Sequence, residues 1–192
     1  MDAWISGVRS MVMACIILVL AWTIGDVCTD MKTAEYIVDL TSGFLTPVLL
    51  PAVTFITASI ISFSTGSSWA TMSILVPVTV PMSIQLMGGD GNQVVQDPIF
   101  LSTFAGVLSG SVFGDHCSPI SDTTVLSSTA SGSDHIDHVR TQLPYAVVCG
   151  VVALLAGYIF TGFGISLIVS LSVGLVLVIG VLKIFGKPIL NE

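Results

Sequence analysis

Charge is the scarcest feature of this sequence. Of 192 residues, five are Lys or Arg and twelve are Asp or Glu, 9% in all, against roughly 25% in an ordinary soluble domain. A normal soluble surface is thereby excluded. Nucleic-acid binding is excluded as well, because it needs clustered cations to meet phosphates. The net charge of -7 belongs to loops and to a few acids in apolar surroundings. Cysteine is sparse too: Cys15, Cys28, Cys117 and Cys149 form no CxxC pair, which argues for reduced thiols and against a disulfide framework or zinc site. The basic and apolar start MDAWISGVRSMVMACIILVLAWTIG lacks a convincing cleavage site, so a mature helix is expected there and not a removed signal. His116 beside Cys117 does not make a nucleophile and base. No enzyme and no cofactor are expected.

What the chain does contain is hydrophobic sequence, 53% of it, in long uncharged stretches. No charge lies between Arg9 and Asp26, Asp39 and Asp90, Asp97 and Asp115, or Arg140 and Lys183. A membrane-spanning helix needs about 20 mostly apolar residues, and the expectation is an all-α polytopic membrane protein in the lipid bilayer of the cell. Its segments are a helix over 10–27, a hairpin over 44–87 with its tip at 62–69, and a broken helix over 98–133. Two further helices over 143–160 and 164–185 close the chain. The hairpin is either two full crossings or a re-entrant loop. Arg140, Lys183 and Lys187 flank the closing pair, which puts the C-terminus in the cytoplasm under the positive-inside rule. Lys32 is an exception in a predicted outer loop. Trp4, Trp22 and Trp69 are expected to anchor or pack.

Two polar islands interrupt the apolar pattern. Ionisable residues within membrane segments are costly, and their default reading is functional. The first island, SGSVFGDHCSPISDTTVLSS, holds Asp115 and Asp122 on either side of Pro119. On an unbroken helix the two carboxylates would stand about 10 Å apart, at roughly 1.5 Å per residue, too far for one cation. Proline removes a helix hydrogen bond, so an unwound stretch over 114–122 is expected to curl both acids toward one point and to expose backbone carbonyls. Ser118, Ser121, Thr123 and Thr124 add hard hydroxyl ligands for a small cation. Burial favours the neutral form of a carboxyl and a bound cation favours the ionised form, so proton and cation compete at Asp115 and Asp122. Capping of a new helix start is the alternative role of Asp122. Asp115, His116 and Cys117 point different ways and make no zinc triad.

The second island is SFSTGSSW, Ser62 to Trp69. As a hairpin tip it would bring Ser64, Thr65, Ser67 and Ser68 to the ion, with Gly66 permitting close backbone approach. Small-residue helix packing is the alternative. His135 and His138 share a helical face beside Arg140, where a solvated or capping role is expected. Asp26 is either a membrane carboxylate or, as the favoured reading, an interfacial residue.

The run GDHCSPISDTTVLSS followed by DHIDHVRTQLPYA, with AWTIG, TAEYIVDL and SFSTGSSW in order before it, resembles the NhaC family of Na+/H+ antiporters within the ion transporter superfamily. The resemblance implies an inverted-repeat carrier in which a re-entrant hairpin and a broken helix meet at the midplane. It implies Na+ and H+ as transported ions, or sodium- and proton-coupled exchange of organic acids such as malate and lactate. The likeness is to the C-terminal portion of the family, so the expectation is a half that pairs with a missing N-terminal half or as a homo-oligomer. A truncated, non-transporting membrane fragment or assembly subunit is the alternative.

Overall fold

The computed structural model describes residues 46–88 and 91–186, with isolated positions before them. Of the expected helix over 10–27 only Val19, Thr23 and Val27 are described, all three helical, while Trp22, Asp26, Asp90 and Lys187 lie outside the described residues. Those described are helical with no strand among them. A 3-10 turn at Pro47–Leu49 leads into α1, Leu50–Thr65. Helix α2 is Ser68–Met87, α3 is Pro98–Cys117 and α4 is Asp122–Ala130. Helix α5 runs over His135–Gly162 and α6 over Leu167–Phe185. Four of these stretches, Pro47–Thr65, Ser68–Met87, His135–Gly162 and Leu167–Phe185, are long and apolar enough to cross a bilayer. The chain is a membrane protein.

Helices α1 and α2 form the hairpin. Gly66 ends α1 in the left-handed region at φ 66°, its N–H bonded to the Ser62 carbonyl, a C-cap that only glycine adopts without strain. Ser67 then starts α2 by accepting from the Ala70 amide at 3.3 Å. Two residues thus reverse the chain, and the tip is narrower than the eight-residue island suggested.

Helix α3 lies parallel to α1 at backbone contact. Gly106, Gly110 and Gly114 recur every four residues and form a side-chain-free stripe. A Cβ at Gly106 would stand 2.8 Å from the Pro51 carbonyl oxygen, and one at Gly110 would stand 2.9 Å from Ala58 Cβ. Small residues let membrane helices approach this closely when no hydrophobic drive separates helix from lipid. Polar pairs lock the register. Thr54 Oγ1 donates to the Thr103 carbonyl at 3.3 Å and Ser62 Oγ to the Ser111 carbonyl at 2.6 Å. Because α1 and α3 run in the same direction, the hairpin tip and the C-terminal end of α3 arrive at one level.

The break in α3 is shorter than expected. The helix holds to Cys117, its end tightened by Ser118 N–H donating to the Asp115 carbonyl at 3.1 Å. Only residues 118–121 are non-helical before α4 begins. Helix α5 begins at His135, earlier than the expected 143, because Asp134 accepts from the amides of Ile136 and Asp137 at 2.9 and 3.1 Å. It widens into a π-helical stretch at Ala153–Ile159. There the Tyr158 ring stacks on Phe55 at 4.8 Å, and its hydroxyl pairs with Ser109. Helix α5 is therefore seated against both α1 and α3.

Candidate functional site

Asp115 occupies the last turn of α3, where the hairpin tip touches it. It is 7% exposed. Ser68 Oγ, from the first turn of α2, donates to Asp115 Oδ2 at 3.3 Å, and Thr123 Oγ1, from α4, donates to the same oxygen at 3.4 Å. Hydroxyl donors usually reach an oxygen at about 2.7–2.8 Å, so both bonds are long. Oδ1 receives no donor among the described residues. Two long contacts on one oxygen leave the carboxylate weakly compensated by protein donors.

Hydroxyls of the break fix this geometry. Ser118, with no exposed surface, donates to the Phe63 carbonyl at 2.8 Å and so ties the break to the end of α1. Ser121, also fully buried, pairs with Thr123 Oγ1 at 2.7 Å and accepts from the Thr123 amide at 3.2 Å. Gly66 packs on the unwound segment itself, where a Cβ would stand 2.9 Å from the Ile120 carbonyl oxygen. Tip and break are in backbone contact.

The ten candidate ligands read from the sequence divide accordingly. While the Ser118 hydroxyl turns to the Phe63 carbonyl, the side chains of Asp115, Thr123 and Ser121 form one hydrogen-bonded chain. Asp122 does not join it, being exposed at the first position of α4. The break therefore does not bring the two acids to equivalent places, because only the acid at the end of α3 turns into the contact with the hairpin. Thr124 is buried, 4% exposed, on a different face of α4. Ser64 and Thr65 are exposed and donate back to the carbonyls of Ile60 and Ile61 at 2.8 and 2.9 Å. Ser67 is engaged in capping, and of the four tip residues only Ser68 reaches Asp115. Among the described residues no cluster of three or more His, Cys, Asp and Glu could hold a metal ion.

Two residues given no role at the ion site brace the break from α5. Gln142 Nε2 donates to the His116 carbonyl at 2.6 Å. His135 Nε2 lies 2.7 Å from the Pro119 carbonyl, and its Nδ1 lies 3.1 Å from Ser128 Oγ. A carbonyl only accepts, so Nε2 carries the hydrogen. Two carbonyls left free by the break, those of His116 and Pro119, which were expected to face a cation, are thus taken up by α5. The seven-residue spacing of His135 and Gln142, one helical face, was the signal available beforehand.

The model of the Na+/H+ antiporter family matches residues 1–163. This chain belongs to that family. Its resemblance to NhaC in the motifs of the tip and break agrees with the match. An uncharacterized protein of Haemophilus influenzae is 39% identical over 184 residues, which is 94% of this chain and 34% of that protein. The malate-2H+/Na+-lactate antiporter of Bacillus subtilis is 34% identical over 65% of this chain and 25% of its own length. The Na+/H+ antiporter NhaC of Alkalihalophilus pseudofirmus is 29% identical over 60% of this chain and 24% of its own. The chain thus spans about a third or less of the length of these relatives. No solved structure matches it.

Proposed function

We propose that this chain supplies the C-terminal portion of a cation/proton antiporter, in which Na+ and H+ compete for Asp115. The observation that carries this reading is a buried carboxylate, bonded only through long contacts on one oxygen, at the junction of a hairpin tip and a broken helix. Oδ1 of Asp115 and the hydroxyls of Ser68, Thr123 and Ser121 are hard oxygen donors of the kind that Na+ accepts. Protonation of Asp115 removes the charge that holds the cation, and cation binding expels the proton. Exchange of one for the other needs nothing further at the carboxylate. Asp122, exposed on the far side of the break, acts as an electrostatic neighbour. The positive-inside rule applied to Arg140 and Lys183 favours a cytoplasmic C-terminus. Pairing with an N-terminal half or a second copy completes the pathway.

The test is sodium-driven proton flux in membrane vesicles carrying the chain with any polypeptide that co-purifies with it. Asp115→Asn abolishes the flux, and Asp122→Asn reduces it by a smaller factor. Flux unchanged by Asp115→Asn would sink the proposal. A second reading is sodium- and proton-coupled exchange of organic acids, as the name of the Bacillus relative states.

A further inference from the structure

The two arms of the hairpin are held differently. Three hydrogen bonds tie α1 to its neighbours: Thr54 Oγ1 to the Thr103 carbonyl, Ser62 Oγ to the Ser111 carbonyl, and Ser118 Oγ to the Phe63 carbonyl. The glycine stripe of α3 lies against its backbone as well. With the turn that precedes it, 44% of this spanning stretch is buried, against 22% for α2. Helix α2 has one hydrogen bond to another helix among the described residues, and it ends on the carboxylate: Ser68 Oγ to Asp115 Oδ2. The hydroxyls of Thr71 and Ser83 bond to carbonyls of α2 and its cap.

Burial along α2 is uneven. Thr71 is the one buried residue of 68–76, whereas Thr79, Met82 and Ser83 are buried toward the other end. Between these parts stand Pro77 and Pro81. Neither nitrogen can donate, so the carbonyls four residues earlier, those of Ser73 and Pro77, lose their helix partners in consecutive turns. Sharp bends in helices concentrate at such places. At the tip, Gly66 in the left-handed region and Ser67 in extended backbone join the arm to α1. Residues 68–76 thus lie between two joints, with one buried side chain and one polar tie.

We infer that residues 68–76 are a gate over Asp115, which bows away from the carboxylate between joints at 66–67 and 77–81 while α1 stays fixed on α3. Because Ser68 is its tie, the position of the gate follows what occupies Asp115. A cation shared by Asp115 and Ser68 Oγ holds the segment in, whereas the bare carboxylate holds it only through the long 3.3 Å bond. That coupling to sodium rests on the reading of Asp115 given above. The hinged segment rests on the packing and prolines of α2 alone.

The test is double electron–electron resonance on the full chain in detergent, its four cysteines replaced by alanine. One sample carries spin labels at Ile74→Cys on α2 and Leu175→Cys on α6, and a second at Ile60→Cys on α1 and Leu175→Cys; all three sites are exposed. Without Na+ the α2 distance is expected to be broad, with a population displaced by a few ångström, and saturating Na+ to collapse it to one narrow peak. The α1 distance is expected to stay narrow in both conditions. Pro77→Ala combined with Pro81→Ala, which restores both helix bonds, is expected to remove the displaced population without Na+. The same variant is expected to release protons on sodium addition several-fold more slowly, the release showing it folded. A single narrow α2 distance with and without Na+, in a chain that releases protons on sodium addition, would overturn the gate and leave the antiporter reading intact. Equal broadening at Ile60 and Ile74, the mark of a hairpin that moves as one body, would overturn it as well, as would a displaced population that survives both proline substitutions. A displaced population that those substitutions abolish, in a chain that binds no Na+, supports the hinged segment and sinks the reading of Asp115 instead.

Discussion

Gly114→Ala is the sharpest probe of how the carboxylate is held, because it adds one carbon where two backbones touch. The new Cβ would meet the Ser59 carbonyl and stand 2.8 Å from Phe63 N and 2.9 Å from Ser62 Cβ. Ordinary contact begins at 3.4 Å, so α1 and α3 must separate by at least about 0.6 Å, and neither backbone can yield alone. The Ser68 to Asp115 bond, already 3.3 Å, would lengthen by a similar amount to about 3.9 Å, beyond hydrogen-bond reach. Overpacking of this kind costs about 1–3 kcal/mol. For a domain of 150–250 residues that is a fall in Tm of about 2–12 °C. Thermal unfolding in detergent micelles measures the fall, and sodium titration of the same protein measures loss of affinity. Gly180→Ala is the control, since a Cβ there meets nothing within 4 Å and gains up to about 1 kcal/mol of helix propensity. Equal Tm values for Gly114→Ala and Gly180→Ala would refute the close-packed stripe as the support of the site.

Three further outcomes follow from the same geometry. Ser118→Ala orphans the Phe63 carbonyl inside the tip and is expected to cost about 1–3 kcal/mol, read as a lower Tm that Ser118→Thr partly restores. His135→Ala releases the Pro119 carbonyl and is expected to weaken sodium binding several-fold. His135→Gln, which keeps a donor there, restores it with an unchanged pH profile, whereas a changed profile would make His135 a proton carrier and not a brace. Ser68→Ala is expected to lower sodium affinity more than Ser64→Ala or Thr65→Ala, whose hydroxyls face their own helix; equal effects of all three would move the ligand set.

The hairpin and the break were legible in the sequence because each depends on local chemistry. A small-residue tip with Gly66, a proline in a polar island and long uncharged stretches specify reversal, interruption and membrane without reference to the rest of the chain. The set of side chains gathered at Asp115 was only half legible. Ser64 and Thr65 sit in a helix end where their hydroxyls bond the preceding turn, while Ser68 begins the next helix and points to Asp115. That difference is set by the cap at Gly66 and Ser67, one residue finer than composition resolves. Asp122 looked equivalent to Asp115 because spacing does not say which side of a break faces the hairpin. The stripe of Gly106, Gly110 and Gly114 was readable from its four-residue period, though small-residue packing was considered only at the tip. His135 and Gln142 were hidden for another reason: their role exists only once α5 docks against the break, a contact that joins residues 16 and 26 positions apart.

The central claim is that a proton and a sodium ion exclude one another at Asp115. Addition of Na+ to the purified chain in lightly buffered detergent, followed with a pH indicator, tests it directly. The account predicts saturable proton release by the unaltered chain, retained in Asp122→Asn and absent in Asp115→Asn. Sodium binding without proton release, or release that persists in Asp115→Asn, would contradict it.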